Sequence, residues 1–383
     1  SNISGTAENE FRSIEIPKTT LQSGENLIAV EVHQVNPSSS DISFEGELLA
    51  EYVSSVTIVQ YSPIYSLQLE KEASNLRAVF ENDGHCGILS ENISTDTKLV
   101  KACSPYIATG NVLVKTGVKL SIEPGVEIKF PAACNLIING HLDAQGSEKE
   151  PIIFSGLNDK TIWGGLFFQN SDSTNFLNFA QFTNASAGLD RTYQPAAISC
   201  YHADLSMDHL QLTNVMDNPI FSRFSNIVLR NSNIKSKVTG DCINVKQGFA
   251  IVENCEFEGS IEQDMDAIDY DGVKNGIVKN NIIHDFRGDN NDGLDIGEKC
   301  ENLEIEKNYI YHCFDKGISV GQQSTASLFD NTIVYTTIGI ALKDQSKATI
   351  DHCTFFGNQQ GVSAYEKNSG LLGGSGIITN CIV

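Results

Sequence analysis

The chain has 383 residues, 40% of them hydrophobic and 19% charged, with a formal net charge of −22 at pH 7. This is the composition of a folded protein and not of a disordered tail. Such acidity excludes a nucleic-acid partner, because nothing here neutralises a run of phosphates. It suits a solvated exterior or cation binding. No apolar run approaches the roughly 20 residues of a membrane span.

Residues 1–52 read as β-structure. Gly24 to Gln34 alternates with period two, Asn36 to Asp41 is a turn, and Ile42 to Leu48 is a second strand. His33 falls on the first strand and is expected to be structural. The stretch resembles the last strands of the galactose-binding-like jelly rolls in large secreted bacterial proteins, some of which carry a spore-coat-kinase-like (CotH) domain. The resemblance implies the C-terminal part of a β-sandwich, since so short a stretch cannot supply the eight or so strands of a whole jelly roll. The expectation is a piece of an exported, multidomain cell-surface protein, attached to other domains of the same chain.

Residues 53–104 carry further β-type runs, Val56 to Gln60 and Ser66 to Leu69, and read as a linker with packing strands. Cys86 and Cys103 lie in a Gly/Ser/Asp-rich connector and are expected to form a disulfide. The remaining cysteines sit mostly in strand-like runs, where small buried apolar roles are expected. None has CxxC spacing, so no structural zinc is expected.

Residues 105–383 repeat every 21 to 28 residues or so. The motif apolar–x–Asn–x–x–apolar recurs at Leu229–Ile234, Val252–Phe257, Val278–Ile283, Ile305–Ile310, Phe329–Val334, Ile350–Phe355 and Ile378–Val383. A second column keeps the same period through Ile198, Ile220, Ile243, Ile268, Leu294, Ile318, Ile340 and Val362. No window has the apolar spacing of a crossover helix, which excludes a doubly wound sheet. Short strands in columns at one period predict an all-β, right-handed single-stranded parallel β-helix, its coils about 4.8 Å apart. Asn231, Asn254, Asn280, Asn331 and Asn380 are expected to bond the coils above and below. Cys255, Cys353 and Cys381 share the next position and are expected to form an inward ladder of small residues.

Gly117 to Phe130, Asn135 to Leu142, Pro151 to Phe154 and Trp163 to Phe168 resemble the opening coils of bacterial right-handed parallel β-helix proteins. That resemblance implies fold only, because such folds host lyases, hydrolases, adhesins and passive stalks. The sequons at Asn92 and Asn184 are expected to be chance.

One stretch departs from the neutral ladder. Aligned on the apolar column, the following position reads Asn244, Asp269, Asp295, Ser319, and the position two before it reads Asp241, Asp266, Asp292, Lys316. Alternation sends Asp269 and Asp295 outward, one above the other. Stacked like charges repel, and an oxygen-liganded cation, calcium, would turn that repulsion into binding. Asp266, Asp269, Asp292 and Asp295 are the expected metal ligands.

Asn291–Asp295 also resembles the aspartate cluster of calcium-dependent pectate lyases with a lysine base. The resemblance implies Asp292 and Asp295 as ligands, Asp269 or Asp266 from the coil before, and Lys316 as the catalytic base. Calcium would neutralise a uronate carboxylate while the lysine removes the adjacent proton. Asn291 stands where that family often has another aspartate, and Lys316 lies close to the ion. Near the site only Tyr270, Arg287, Tyr311 and Phe314 offer an aromatic or arginine platform. The expected function is therefore an extracellular module presenting an acidic, calcium-binding face to polysaccharide or cell-surface glycan without catalysis. The alternatives are a calcium-dependent uronate lyase, and a polygalacturonase-like hydrolase using Asp269, Asp292 and Asp295.

Overall fold

In the computed structural model, residues 87–383 are described in full, and upstream of them the backbone of six strands. The chain divides into two units, Ser1–Ile88 and Leu89–Val383. In the first, strands Ile14–Ile16, Asn75–Val79, Glu47–Glu51 and Val56–Val59 pair antiparallel in that order, and Gly24–Ala29 pairs antiparallel with Ile64–Leu69. The expected roles of His33 and Cys86 lie outside the described residues.

The second unit is a right-handed parallel β-solenoid of about 12 turns. Each coil contributes short strands to three rows. One row forms a 12-stranded sheet, and the other two join around a corner into a 22-stranded sheet. The first strands are Ile88–Leu89, Asn92–Ile93 and Thr97–Leu99, which pair with the coil after them. Cys103, just beyond, is disulfide-bonded.

The apolar column lies in one inward line: Ile220, Ile243, Ile268, Leu294, Ile318 and Ile340 pair in register and are fully or almost fully buried. Gly293 and Gly317 precede two of its members because a Cβ there would come within 2.5 and 2.8 Å of the next coil's Gly317 and Gly339 carbonyls. Aromatic rings also stack along the axis, Phe130 on Trp163 at 4.6 Å and Phe154 on Phe182 at 4.7 Å.

Two polar columns run side by side here, the expected asparagines and, one residue on, an inward column. Asn231, Asn254, Asn280 and Asn380 hold the turn, with φ of 49° to 56°, a left-handed conformation that asparagine tolerates. Asn231, Asn280 and Asn380 donate through Nδ2 to Asp208, Asn254 and Asp351 one coil before, as expected, and the residue after each turn points inward and adds a second set of bonds. Asn281 and Asn308 donate through Nδ2 to the Val252 and Val278 carbonyls and accept through Oδ1 from the backbone N–H of Cys255 and Asn281. Asn331 belongs to this inward column, and Asp330, with φ 56°, takes the turn in its coil. Cys255, Cys353 and Cys381 occupy the same column, each thiol donating to a carbonyl one coil before.

Candidate functional site

The row of strands Asn218–Arg230, Ile243–Glu253, Ile268–Val273, Asp292–Gly297, Lys316–Val320 and Ile338–Lys343 carries the acids. Parallel pairing puts Asn244, Asp269, Asp295 and Ser319 in register on its outer side. Asn244 Nδ2 donates to Asp269 at 2.5 Å and to Asp241 at 2.8 Å. Two buried polar atoms in this line have no partner, Asn244 Oδ1 and Ser319 Oγ, in residues 7% and 0% exposed.

Beside that line runs a staircase. The Asp241 carboxylate accepts the Asp266 N–H at 3.2 Å, Asp266 accepts the Asp292 N–H at 2.6 Å, and Asp292 accepts the Lys316 N–H at 3.0 Å. Each acid thus satisfies a backbone donor one coil on, which is a structural task. Lys316 ends the staircase. Its Nζ lies 3.2 and 3.3 Å from the Asp292 oxygens and also bonds Asp315, with its side chain only 5% exposed.

Burial drives the electrostatics. It pushes the Asp266 carboxyl well above the usual carboxylate range, reinforced by Asp292 and Asp241. It pushes Asp269 up to about 9, with Asp241, Asp271 and Asp295 adding to the effect. Burial works against the Lys316 charge, but the Asp292 charge and the Asp315 bond outweigh it and hold the ammonium above the ordinary lysine range. Lys343, which sequence reading missed, reaches within 3.6 Å of Asp295, and burial lowers its pKa.

Every acid expected at the site is therefore brought into one strip, with Asp269 and Asp295 facing out and Asp266 and Asp292 engaged by backbone. The donors present are hard oxygens, the set that calcium prefers. Among the described residues no three His, Cys, Asp or Glu side chains converge on one point. An ion between the Asp269 and Asp295 coils would draw on the two carboxylates, while Asn244 and Ser319 stand one coil further out on either side.

Three of the expected platform residues lie elsewhere, and the fourth, Phe314, is exposed next to Asp315. Tyr270 is buried in the core, while Arg287 bonds Asp285 and Tyr311 stacks on His284 in the 12-stranded row. The outer row has its own platform. Counting three residues on from the apolar column gives Tyr201, Arg223, Lys246 and Asp271 in register, and later Lys343 and Tyr365. Lys246 bonds Asp271, and the Arg223 guanidinium sits 5.1 Å over the Phe224 ring. Extending the column alignment upstream of Asn244 is the signal that would have found them.

Residues 220–382 match the family model described as the right handed beta helix region. A sequence search of curated proteins finds no match. Among solved structures, the periplasmic alginate epimerase AlgG is similar at 8% identity and a TM-score of 0.40, covering 71% of this chain and 78% of that one. The catalytic domain of a GH87 alpha-1,3-glucanase in complex with nigerose is similar at 10% identity and 0.37, covering 96% and 87%. An alginate lyase from Paenibacillus sp. str. FPU-7 is similar at 14% and 0.33, covering 70% and 94%. Likeness at this level carries nothing about activity. Among the described residues no helix is long and apolar enough to cross a membrane.

Proposed function

We propose that this chain is an extracellular β-helix module that holds calcium at Asp269 and Asp295 and lays a polysaccharide along that face without cleaving it. The observation that carries the reading is the in-register pair Asp269 and Asp295 on the outer side of successive coils. Without a cation, burial and the neighbouring carboxylates push Asp269 up to about 9; an ion between Asp269 and Asp295 would favour the charged form of both. Asp266 and Asp292 stand in the adjoining column, each accepting a backbone N–H of the next coil. The disulfide at Cys103 supports an oxidising, exported location.

The binding reading stands ahead of the lyase because Lys316 is committed. An ammonium bonded to Asp292 and Asp315 and sealed from solvent is not a free amine waiting for a proton. Calcium titration calorimetry on wild type and Asp295→Ala tests the site: heat in the first and none in the second is expected, and no heat in either overturns it. Uronate polymers incubated with calcium should be retained without unsaturated products. Ultraviolet-absorbing product that disappears in Lys316→Ala would instead make the chain a lyase.

A further inference from the structure

Upstream of the acid strip, on the same outer row, an arginine stands without an acid. Among the described residues Arg191, Arg230 and Arg287 each bond a carboxylate. Arg223 has no such partner, and its Nε is buried with none at all. In a chain of net charge −22 this is an unusual omission, and a buried N–H left unpaired is unfavourable unless something else accepts it.

We infer that Arg223, with Tyr201, His202 and Phe224, forms a subsite for an acidic sugar residue of a polysaccharide lying along the helix axis. The inference rests on the polysaccharide-binding reading above and names its substrate class. Its second support is the corner after this row. There the other coils place Asn170, Gln247, Gly272, Glu298, Gln322 and Asp344, all with positive φ. At His202 and Phe224 the same corner carries rings, with φ of 47° and 54°, a conformation disfavoured for bulky residues and found where surrounding structure imposes it. The two rings stack at 4.9 Å, and Tyr201 meets them edge-on at 4.6 and 5.9 Å. Phe224 remains 40% exposed.

The chemistry fits one occupant. A sugar ring offers an apolar face to the aromatic wall, and a guanidinium fork matches a carboxylate, with the Phe224 ring orienting it. Arg223 lies two coils from Asp271, about 10 Å along the axis, a span that a short oligosaccharide covers. One anionic chain is then held at two places by opposite devices, a cation over the aspartates and a cationic side chain over the aromatics. A neutral glycan gains nothing from either.

The test compares polygalacturonate with its carboxyl-reduced, neutral form, in calcium, by calorimetry on wild type, Arg223→Gln and Arg223→Lys. Wild type should bind the acidic polymer at least about tenfold more tightly than the neutral one. Arg223→Gln should lose about tenfold on the acidic polymer alone, with the calcium heat unchanged. Arg223→Lys keeps the charge without the fork and should fall between; it carries the test if the glutamine variant does not fold. Equal affinity for the two polymers, or no change in Arg223→Gln, overturns the subsite. If calcium binds but neither polymer does, the subsite falls and the calcium site stands. If polymer binds through Arg223 with no calcium heat, the calcium reading falls and the subsite stands.

Discussion

Asp292 and Lys316 hold equivalent places in successive coils, and the Asp292 carboxylate receives both the backbone N–H of Lys316, at 3.0 Å, and its ammonium, at 3.2 and 3.3 Å. Side chains on both sides of this pair are only 5% exposed. Breaking such a pair leaves an uncompensated buried charge, whereas replacing both partners often does not.

Lys316→Met should therefore destabilise the solenoid by about 3–5 kcal/mol. Asp292→Asn should cost less, because the amide oxygen can still accept the Lys316 N–H. The double variant should recover much of the loss in urea unfolding. Additive losses would mean that the pair is not coupled.

Asn308→Ala removes an amide that donates to the Val278 carbonyl and accepts from Asn281, both buried. Stranding those groups should cost about 1–3 kcal/mol for each. Asn308→Ser should be milder, since Ser232 and Cys255 fill the same column in their own coils. Asn280→Ala, at the exposed turn, should cost about 1 kcal/mol through its left-handed backbone. Thermal melts that reverse this order would refute the inward column.

Acid stability should depend on Asp285. Burial pushes its carboxyl up, but hydrogen bonds from His284 and Arg287, the Arg287 charge and a bond from His312 outweigh it and hold the pKa at about 2. A depressed folded pKa contributes stability that is present above the ordinary value of 3.8 and is lost as pH falls through about 2. Asp285→Asn should lower the melting temperature at pH 5 and narrow the gap to wild type as pH approaches 2. A gap that does not change with pH would contradict it.

The chain has ten cysteines, and eight of the described ones are free thiols. Pairing of Cys103 with Cys86 is the expected link. Denatured, unreduced protein should then titrate eight thiols, and a non-reducing digest should contain one peptide joining Cys86 and Cys103. A linkage to any other residue would refute the pairing.

The coil architecture was legible before any coordinates because its cause is periodic. Strands of fixed length must bury Ile243, Ile268, Leu294 and Ile318 along one line, so the apolar column fixes both parallel pairing and inward direction, and Asp269 over Asp295 follows from alternation. Turns add or omit residues freely, so the coil containing Phe329 to Val334 slipped by one position, and only the backbone showed Asp330 at the turn and Asn331 inside. Side-chain commitments were equally hidden. Sequence spacing places Lys316 beside the acids, but whether its ammonium is spare or bonded to Asp292 and Asp315 depends on rotamers and burial. The column alignment can place Arg223 in line with Lys246 and Asp271, but only three-dimensional packing decides that its Nε is left without a partner beside rings in left-handed backbone. Periodicity is a property of the chain, whereas satisfaction of a donor is a property of everything that surrounds it.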